Sequence, residues 1–396
     1  MADLTLRLVL DGGDLFPYRR AVSMIAGGSQ ARTPRMTVVL LLYNAAGEVV
    51  SLLESLARQV HPAFARQAEW LEAVVVDDAS SDGTAEAASR ALADLGSPSH
   101  YRLLVHPQNL GLARTLNEAF SLARTPFVLT CHLDCRFGSD GYVAAMLELI
   151  ARHPDAAAIT GQPVLPPGAQ LPFAEKLNIV ANLMDIVPSP AAAELVPIGF
   201  AEGRCDVFRV EALRSVGFYD THLRVSGEDQ VLAAKLRANG YEIYQAPRLT
   251  YHLSVSAEQD SIGKLLRHQR LFGRTTPYIV LAVPGSLAGL VGRHAGANRS
   301  RRTLLRATQL ASSAAYAVVV ASLLAGWPAL VWGGALGLVA AAKAALFARH
   351  ARAVGFSAWG LLAFVLLQPP LDVAFSVGVA EGFWPLARRG RSSPID

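Results

Sequence analysis

The fold of this chain is decided by the stretch Phe127-Val128-Leu129-Thr130-Cys131-His132-Leu133-Asp134. Its first five residues form a short, largely apolar run that follows a proline, which predicts a strand buried on both faces of a parallel sheet. Polar residues come next, and ligands of open α/β sheets bind at the carboxyl ends of the strands. His132 and Asp134 alternate with Leu133, so we expect both side chains on one side of the strand, where they could hold a divalent cation beside a diphosphate. A strand that ends in a solvated turn would show the same residues.

Strand and helix patterns alternate on both sides of this stretch. Strands are predicted at 36–43, 73–76, 101–105, 156–160, 205–210, 242–245 and 249–252, and helices at 48–58, 85–95, 112–123, 141–152, 211–216, 226–238 and 258–272. Such alternation predicts a doubly wound, mostly parallel, Rossmann-like α/β sheet with right-handed crossovers. Residues 161–202 are rich in proline and alanine and show no clear period, so we interpret them as an insertion.

The C-terminal part of the chain is predicted to meet a membrane. The chain has 396 residues, of which 52% are hydrophobic, and its mean hydropathy of +0.30 is too apolar for an ordinary soluble protein. Residues 307–342 carry no formal charge. A bilayer core needs about 20 helical residues, and Gly326-Trp327-Pro328 interrupts the stretch, so two spans are predicted. Residues 353–387 are predicted as a third span or a re-entrant hairpin, because Pro369-Pro370 and Asp372 break the apolar pattern.

Charge is unevenly distributed along the chain. The net charge is +4, and residues 293–396 contain 11 basic and 3 acidic residues, which gives +8 there and leaves −4 for residues 1–292. A basic, apolar tail on a mildly acidic domain favours an anionic membrane surface over nucleic acid as the partner.

The cysteines of the chain are Cys131, Cys135 and Cys205. They are too few for a disulfide framework and lie in apolar surroundings, which predicts reduced core thiols and a reducing compartment. A zinc site is disfavoured, because strand alternation turns the first two cysteines away from His132 and Asp134. No secretory signal pattern opens the chain, and residues 1–34 are predicted to be a loosely ordered extension.

Five motifs follow one another between residues 36 and 275 in the order and spacing of family 2 glycosyltransferases, which the chain resembles. They are Val38–Asn44, Val74–Thr84, Asn109–Ala113, Leu133-Asp134 and Gly227-Glu228-Asp229. Each motif is weak evidence alone, and together they form a strong signal. The resemblance implies a GT-A fold over residues 35–275 and transfer of a sugar from a nucleotide-diphosphate donor.

The resemblance implies a donor site formed by Tyr43, Asn44, Asp77, Asp78, Asn109, Arg114 and His132. Tyr43 would stack on the nucleotide base, and Asp78 would accept a hydrogen bond from an N–H of the base. Asp77 is the alternative if it is the residue that points into the pocket. Arg114, just inside a helix, would pair with phosphate, although a surface arginine would look the same.

A metal site is implied at the end of the central strand. In the family, a D-x-D triplet holds a divalent metal through its last carboxylate, and here His132 replaces the first acid. The resemblance therefore implies Asp134 and His132 as ligands of Mn²⁺ or Mg²⁺, and a nitrogen ligand shifts the preference toward Mn²⁺. His252 resembles a histidine that completes such sites, and a structural role for it is equally open.

The acidic pair Glu228-Asp229 resembles the catalytic acids of the family. An inverting transfer needs a carboxylate that takes the proton of the acceptor hydroxyl during in-line attack, and we predict Asp229 in that role. A cap at the start of a helix would also explain two acids there. The segment Arg267–Phe272 lacks the tryptophan of the Q-x-x-R-W motif of processive members, which argues against synthesis of a long polymer.

The sequence thus predicts a membrane-bound, inverting glycosyltransferase with a nucleotide-sugar donor and a lipid or lipid-linked glycan as acceptor. An inactive sugar-nucleotide-binding membrane scaffold is the alternative, supported by His132 in place of an acid. The predicted boundaries are an extension at 1–34, a glycosyltransferase domain at 35–275, an interfacial linker at 276–306, a membrane region at 307–387 and a basic tail at 388–396. Within the membrane region, the first two spans are predicted at 307–325 and 328–348. Arginines precede the first span, and Lys343, Arg349 and Arg352 lie at or after the end of the second, so the positive-inside rule predicts a catalytic domain and a C-terminus on the cytoplasmic face of the membrane.

Overall fold

Strands and helices alternate from residue 36 to residue 253, as the sequence predicts. The computed structural model describes residues 35–182, 184, 186, 193–223, 227–254, 261–282 and 296–389. The strands are β1 (Met36–Leu42), β2 (Leu71–Asp77), β3 (Tyr101–Val105), β4 (Phe127–His132), β5 (Cys135–Phe137), β6 (Ala156–Val164), β7 (Val196–Pro197), β8 (Asp206–Arg209) and β9 (Glu242–Leu253). The helices are α1 (Val49–Ala57), α2 (Thr84–Asp94), α3 (Leu112–Leu122), α4 (Tyr142–Arg152), α5 (Phe173–Ala181), α6 (Val210–Ser215), α7 (Glu228–Ala238), α8 (Ile262–Ala282), α9 (Gly296–Leu324), α10 (Ala329–Ala353) and α11 (Ala358–Arg389). Predictions that fall on residues 1–34, 255–260, 283–295 and 390–396 lie outside the described residues.

The described strands form one mixed sheet with the order β3-β2-β1-β4-β8-β6-β9-β5, and β7 pairs with β9 at its side. β1 is parallel to β2 and to β4, and β2 is parallel to β3, so the carboxyl ends of these four strands meet at one edge. β8 runs antiparallel to both of its neighbours, β4 and β6. The predicted α/β class is confirmed, and the sheet is parallel in its β3-β2-β1-β4 part and again between β6 and β9.

The central position of β1 explains its composition. All seven of its residues are buried. Val38, Leu40 and Leu42 face one hydrophobic core, whereas Val39 and Leu41 face a second core on the opposite side of the sheet. A strand covered on both faces has no side turned to solvent, and for this reason the run is apolar almost throughout.

The three cysteines pack together behind the end of β4. All are free and buried, and the sulfurs of Cys131 and Cys205 lie 3.4 Å apart across the β4–β8 pair. Burial raises the pKa of Cys135 to about 12, so this thiol keeps its proton at neutral pH. The prediction of reduced core thiols is confirmed.

The insertion and the strand β9 differ from what the sequence predicts. The insertion contains the helix α5, and the two short strands expected near 242–245 and 249–252 are one strand, β9. The pairing of β9 with β6 shifts register between Thr160 and Gln162, where β9 passes Pro247. Proline has no N–H to donate to the ladder, so the strand accommodates it with a bulge instead of ending.

The C-terminal helices confirm one predicted break and exclude another. Residues 326–328 separate α9 from α10, as predicted. The break predicted at Pro369-Pro370 is wrong, because α11 continues through both prolines. Phe364, Leu371 and Phe375 bury one face of α11 against the rest of the protein. This packing offsets the cost of proline in a helix, which is about 3 kcal/mol per residue.

A buried ion pair joins α10 to α11. Lys343 Nζ lies 2.6 Å from Asp372 and 3.2 Å from Gln368 Oε1, and the hydroxyl of Tyr316 on α9 donates to Asp372 at 3.1 Å. Asp372 is therefore not the isolated charge that the sequence alone suggests, and Lys343 does not mark the flank of a span. The two charges neutralise each other inside the helix bundle, so Asp372 no longer argues against a span.

Two of the described helices contain segments long and apolar enough to cross a membrane, Leu304–Leu324 in α9 and Trp359–Trp384 in α11. Only 22% and 33% of their most apolar windows, respectively, is buried inside the protein. Their apolar side chains therefore face mostly outward, as expected of helices that meet lipid.

Candidate active site

The loops that follow β1 and β2 are tied together at the sheet edge. Asn44, which has a φ of +47°, accepts hydrogen bonds from Ser81, and its own N–H donates to the Ser80 hydroxyl at 2.8 Å. Asp77 is buried and accepts hydrogen bonds from the N–H and the hydroxyl of Ser80. Both predicted donor residues thus shape the loop with their side chains. Tyr43 beside them is 45% exposed, so its ring is available for stacking.

Asp78 lies at the centre of a buried charge cluster. Its carboxylate accepts hydrogen bonds from the N–H groups of Leu110 and Gly111, at 2.8 and 2.9 Å, and from His106 Nδ1 at 2.7 Å. Burial alone would raise the pKa of Asp78, but the hydrogen bonds from His106 and the two backbone N–H groups lower it below its usual value. Asp78 is therefore ionised, and it anchors the loop that follows β3.

His106 is a residue of this cluster that the sequence analysis misses. Its Nε2 lies 3.2 Å from Glu118 on α3, so the imidazole is held between two carboxylates. Burial lowers the pKa of His106, but Asp78 and Glu118 together raise it to about 9. Its position directly after β3, at the edge where β1 and β2 also end, is the signal that could have identified it.

Two further predicted donor residues lie beside this cluster. The side-chain amide of Asn109 donates to the backbone oxygen of Asp78 at 3.2 Å, so it braces the loop. Arg114 is exposed on the first turn of α3. The structure thus brings Asn109 to the ends of β2 and β3, and it leaves the Arg114 side chain in solvent near the start of the helix.

His132 and Asp134 stand at the end of β4, next to β1. Leu41 of β1 is the register partner of His132, so the triplet adjoins the loop that carries Tyr43. In the described chain, His132 Nε2 is buried and has no hydrogen-bond partner, and burial lowers the pKa of its imidazole. His132 is therefore neutral, with a nitrogen lone pair available. The Asp134 side chain is 20% exposed and lies 3.9 Å from Arg204.

The turn that carries Asp134 is held by Arg136, which the sequence analysis also misses. Arg136 Nη1 donates to the backbone oxygens of Leu133 and Cys135, both at 2.7 Å. Its Nη2 donates to the backbone oxygen and the carboxylate of Glu48, at 3.0 and 2.9 Å. Arg136 thus joins the Asp134 turn to the start of α1.

The residues predicted to bind metal do not form a complete ligand set by themselves. Among the described residues, no group of three His, Cys, Asp or Glu side chains stands close enough to hold a metal ion. His252 is the register partner of Arg136 on the β5–β9 pair, and no such group includes it with His132 and Asp134. A carboxylate with a neutral imidazole nearby nevertheless fits a metal that takes its other ligands from a bound diphosphate, as Mg²⁺ commonly does.

The acidic pair opens α7 after Gly227, which has a φ of +94°. Glu228 Oε2 is buried without a hydrogen-bond partner among the described residues, and burial raises the pKa of Glu228. Asp229 Oδ1 accepts the N–H of Gln230 at 2.7 Å. Burial raises the pKa of Tyr219, and the charges of Asp229 and Glu228 raise it further, so this phenol lies near the pair.

Gly203 lies between Tyr219 and the triplet. A β-carbon at this position would lie 3.4 Å from the hydroxyl of Tyr219 and 3.8 Å from His132 Nε2. Tyr219 also exchanges two hydrogen bonds with Asn117 of α3, at 2.9 and 3.0 Å. The end of β4, the start of α7 and the donor-side helix α3 therefore converge around Tyr219.

The comparisons with known proteins agree with this geometry. Residues 37–217 match the family model described as "Glycosyl transferase family 2", and α7 with its acidic pair follows the matched range. The mannosyltransferase PcManGT from Pyrobaculum calidifontis, solved with GDP-Man and Mn²⁺, is 21% identical with a TM-score of 0.52, and the alignment covers 89% of this chain and 87% of that one. TarS 1-349 from S. aureus is 18% identical with a TM-score of 0.44, with 90% and 93% covered.

No curated protein matches the sequence significantly. At 21% identity, the likeness to PcManGT concerns the fold alone. The family match spans β1 to β8, the strands whose ends carry the donor-side residues and the triplet. Residues 37–217 of this chain therefore match the family 2 glycosyltransferases, and the domain built on them has a GT-A fold.

Proposed function

We propose that the protein transfers a sugar from a nucleotide-diphosphate donor, with inversion, to a lipid or lipid-linked glycan at a membrane. One observation carries this proposal. The carboxyl ends of β1, β2 and β4, which are neighbours in the sheet of a family 2 domain, present the donor-type side chains at one edge. Ligands of such sheets bind at this edge.

The donor side of the proposal rests on Tyr43 and Asp78. The exposed ring of Tyr43 offers a stacking surface for a base. A carboxylate has about four lone-pair positions, and His106, Leu110 and Gly111 use three of those of Asp78, which leaves one for an N–H of the base. PcManGT was solved with GDP-Man, and TarS has also been solved with UDP, so guanine and uracil nucleotides are the first donors to test.

A divalent ion, Mn²⁺ or Mg²⁺, would be held by Asp134, with His132 Nε2 next to it. When bound, the ion neutralises charge on the departing diphosphate. His132 is neutral, so it can give its lone pair to a metal, and it favours Mn²⁺ over Mg²⁺. Arg136 keeps the Asp134 turn in place through the backbone oxygens on either side of it.

The acidic pair supplies the base. Asp229 takes the proton of the acceptor hydroxyl while the oxygen attacks the sugar carbon and the bond to the diphosphate breaks. Glu228, whose carboxyl is buried and has a raised pKa, lies beside it and is the alternative base. Tyr219 lies close to His132 and within the electrostatic reach of the pair, so the base would stand near the diphosphate end of the donor.

The membrane part of the proposal rests on the C-terminal helices. The far half of α9 is exposed and apolar, as Val318, Val320 and Leu324 illustrate. In the hairpin that α9 and α10 form, α9 is long and apolar enough to cross a membrane, and α10 would return across it beside α9. The chain contacts the glycosyltransferase domain near both ends of α11. Lys176 donates to the backbone oxygen of Gly355, just before α11 begins, and α8 packs along the C-terminal half of α11. The proposal therefore keeps an even number of crossings, with the catalytic domain in the cytoplasm.

A lipid acceptor is supported by the position of α8 between α11 and the acidic pair. The Tyr278 hydroxyl of α8 donates to Asp220 at 2.7 Å, and Ile279 contacts Gly227, the residue before the pair. An acceptor that arrives along the membrane surface would thus reach Asp229 beside α8.

The decisive experiment uses the full-length protein in lipid nanodiscs with Mn²⁺, UDP- and GDP-sugars, and polyprenyl phosphate. Release of nucleoside diphosphate measures transfer, and the anomeric configuration of the product, determined by NMR, tests inversion. Asp229→Asn is expected to lower the rate about 10²- to 10⁴-fold and to leave the donor dissociation constant unchanged, because the base acts on the acceptor. Asp94→Asn at an exposed position on α2 is the matched control. A loss below tenfold would reject Asp229 as the base.

A further inference from the structure

Arg204 lies against the carboxylate predicted to bind metal. It belongs to the turn that leads into β8, and its backbone oxygen accepts the N–H of His132 at 2.9 Å. Gly203 before it has a φ of +74°, and its N–H donates to Asp206 at 2.6 Å. These main-chain contacts fix Arg204 at the carboxyl end of β4.

The guanidinium of Arg204 has two acidic neighbours. Its Nε lies 3.2 Å from Glu202, its Nη1 lies 3.9 Å from Asp134, and the three side chains are 20–25% exposed. A guanidinium is not deprotonated in proteins, so Arg204 is a fixed positive charge beside the two carboxylates. A histidine stands in place of the first acid of the triplet, so this site has one negative charge fewer than an acidic triplet. Arg204 adds a fixed positive charge beside the remaining carboxylate, that of Asp134.

The geometry leaves N–H donors of Arg204 for a ligand. A guanidinium carries five N–H donors in a planar fork that matches the oxygens of a phosphate. Charge-assisted hydrogen bonds of this kind measure about 2.7–2.9 Å. The contacts of Arg204 with carboxylates in the described chain are ion pairs of 3.2 and 3.9 Å. The longer contact, to Asp134, is loose enough to be exchanged for a phosphate oxygen.

We propose that Arg204 binds the diphosphate of the donor and stabilises it as it leaves. The inference rests on the proposed glycosyl transfer. As the bond between the sugar carbon and the diphosphate oxygen breaks, its electron pair goes to that oxygen. The acceptor oxygen forms the new bond to the same carbon, and its proton goes to a carboxylate of the acidic pair. Arg204 keeps its proton and neutralises the negative charge that builds on the leaving oxygen.

This role changes what the metal contributes. When Arg204 turns toward the phosphate, the Asp134 carboxylate loses its cationic neighbour and becomes available as a ligand. Since Arg204 is charged at all working pH values, the protein is expected to bind nucleoside diphosphates measurably even without a divalent ion. The selectivity for a diphosphate over a monophosphate would then come in part from the protein.

Isothermal titration calorimetry of the full chain in nanodiscs, with EDTA present, tests the inference. The probes are UDP, GDP, UMP and GMP. Arg204→Gln is expected to weaken the better-bound diphosphate about ten- to a hundredfold, the range for a hydrogen bond to a charged group, and to weaken the monophosphate much less. Arg204→Lys is expected to recover part of the loss, and Glu202→Gln to strengthen diphosphate binding, because it releases the guanidinium. The control is Arg152→Gln, an exposed arginine of α4 that pairs with Glu194.

The outcomes separate the inference from the proposed function. If the wild type binds a diphosphate and Arg204→Gln binds it equally well, Arg204 does not contact the donor, while the glycosyltransferase proposal stands. If Arg204→Gln weakens monophosphates and diphosphates by the same factor and lowers Tm, Arg204 is a structural residue and the inference is overturned. If the wild type binds none of the four probes, with Mn²⁺ or without it, both the donor site and the role of Arg204 are rejected.

Discussion

Replacing His106 by glutamine is expected to remove a charge that holds the donor-side loop to the sheet. The imidazole donates to Asp78 at 2.7 Å and lies 3.2 Å from Glu118, and its side chain is 2% exposed. Burial alone would lower the pKa of His106, but the two carboxylates raise it from 6.5 to about 9. A tenfold difference in proton affinity is worth about 1.4 kcal/mol, so the imidazolium contributes about 3 kcal/mol to the free energy of unfolding.

The raised pKa fixes the sign of the pH dependence. Below pH 6.5 the folded and the unfolded protein both hold the proton, so the contribution is complete, and it is lost as the pH rises from 6.5 to about 9. Thermal unfolding followed by tryptophan fluorescence between pH 6 and pH 9 measures this loss. For a domain of roughly 200 residues, 1 kcal/mol shifts Tm by about 2–4 °C. The wild type is therefore expected to melt about 6–12 °C above His106→Gln at pH 6 and to lose this advantage at pH 9.

Two comparisons isolate the effect of His106. The thiol of Cys135, whose pKa burial raises to about 12, destabilises the folded protein at high pH in the wild type and the variant alike, so it cancels in their difference. His153→Gln, at the end of α4 and outside the cluster, is the control and is expected to follow the wild-type curve. If the curves of the wild type and His106→Gln stay parallel from pH 6 to pH 9, the imidazole is neutral in the folded protein and the reasoning fails.

The metal site, the helix bundle and the topology each give a further test. Asp134→Ala is expected to abolish the effect of Mn²⁺ on binding of UDP or GDP, and His132→Asp to keep transfer activity and to shift its preference toward Mg²⁺; a His132→Asp enzyme that is inactive with every metal would contradict the role of the triplet. Lys343→Met leaves Asp372 buried without its cation and is expected to cost about 3–5 kcal/mol of stability, most of which the additional exchange Asp372→Leu should restore; an unchanged Tm of the single variant would show that the pair is not formed. A reporter that is active only in the periplasm, fused after Asp396, is expected to stay silent, and a bright signal would establish a third full span.

The edge of the sheet could be predicted from the sequence because local signals mark it. Apolar runs end at Leu42, Asp77 and His132, and polar residues follow each of them. Parallel strands bring their carboxyl ends together whatever their exact order, so the runs alone place these loops side by side. The acidic pair was also predictable, since it follows a glycine at the start of a helix.

The residues that complete the site could not be predicted in the same way. Arg136 and Arg204 act through contacts with the triplet turn, and these contacts depend on how β5, β8 and α1 are arranged around β4. No spacing in the sequence encodes such an arrangement. Asp78 illustrates the opposite problem, because the sequence suggests a role in binding the base, and the structure adds three hydrogen bonds from residues 106–111 that the motif does not reveal.

The helix α11 shows how tertiary contacts change the meaning of a sequence pattern. Two prolines and an aspartate predict a break in the helix, but α11 is continuous. Asp372 forms an ion pair with Lys343, and α8 packs against the turns that follow, so tertiary contacts stabilise the helix. The crossing of α8 and α11 is close. A β-carbon on Gly273 would collide with the backbone at Phe375, and one on Gly378 would collide with the backbone at Arg270.

This close crossing connects the C-terminal helix α11 to the region of the acidic pair through α8. α8 contacts α11 through Gly273, and one turn and a half later its Ile279 contacts Gly227, where any β-carbon would collide with that side chain. Glu228 and Asp229 follow Gly227 immediately, so a shift of α8 along α11 would press Ile279 against the backbone that carries both carboxylates. A base held to the fraction of an ångström that in-line transfer demands cannot tolerate such a shift. In the proposed mechanism, the fit between α8 and α11 is therefore a requirement of the active site.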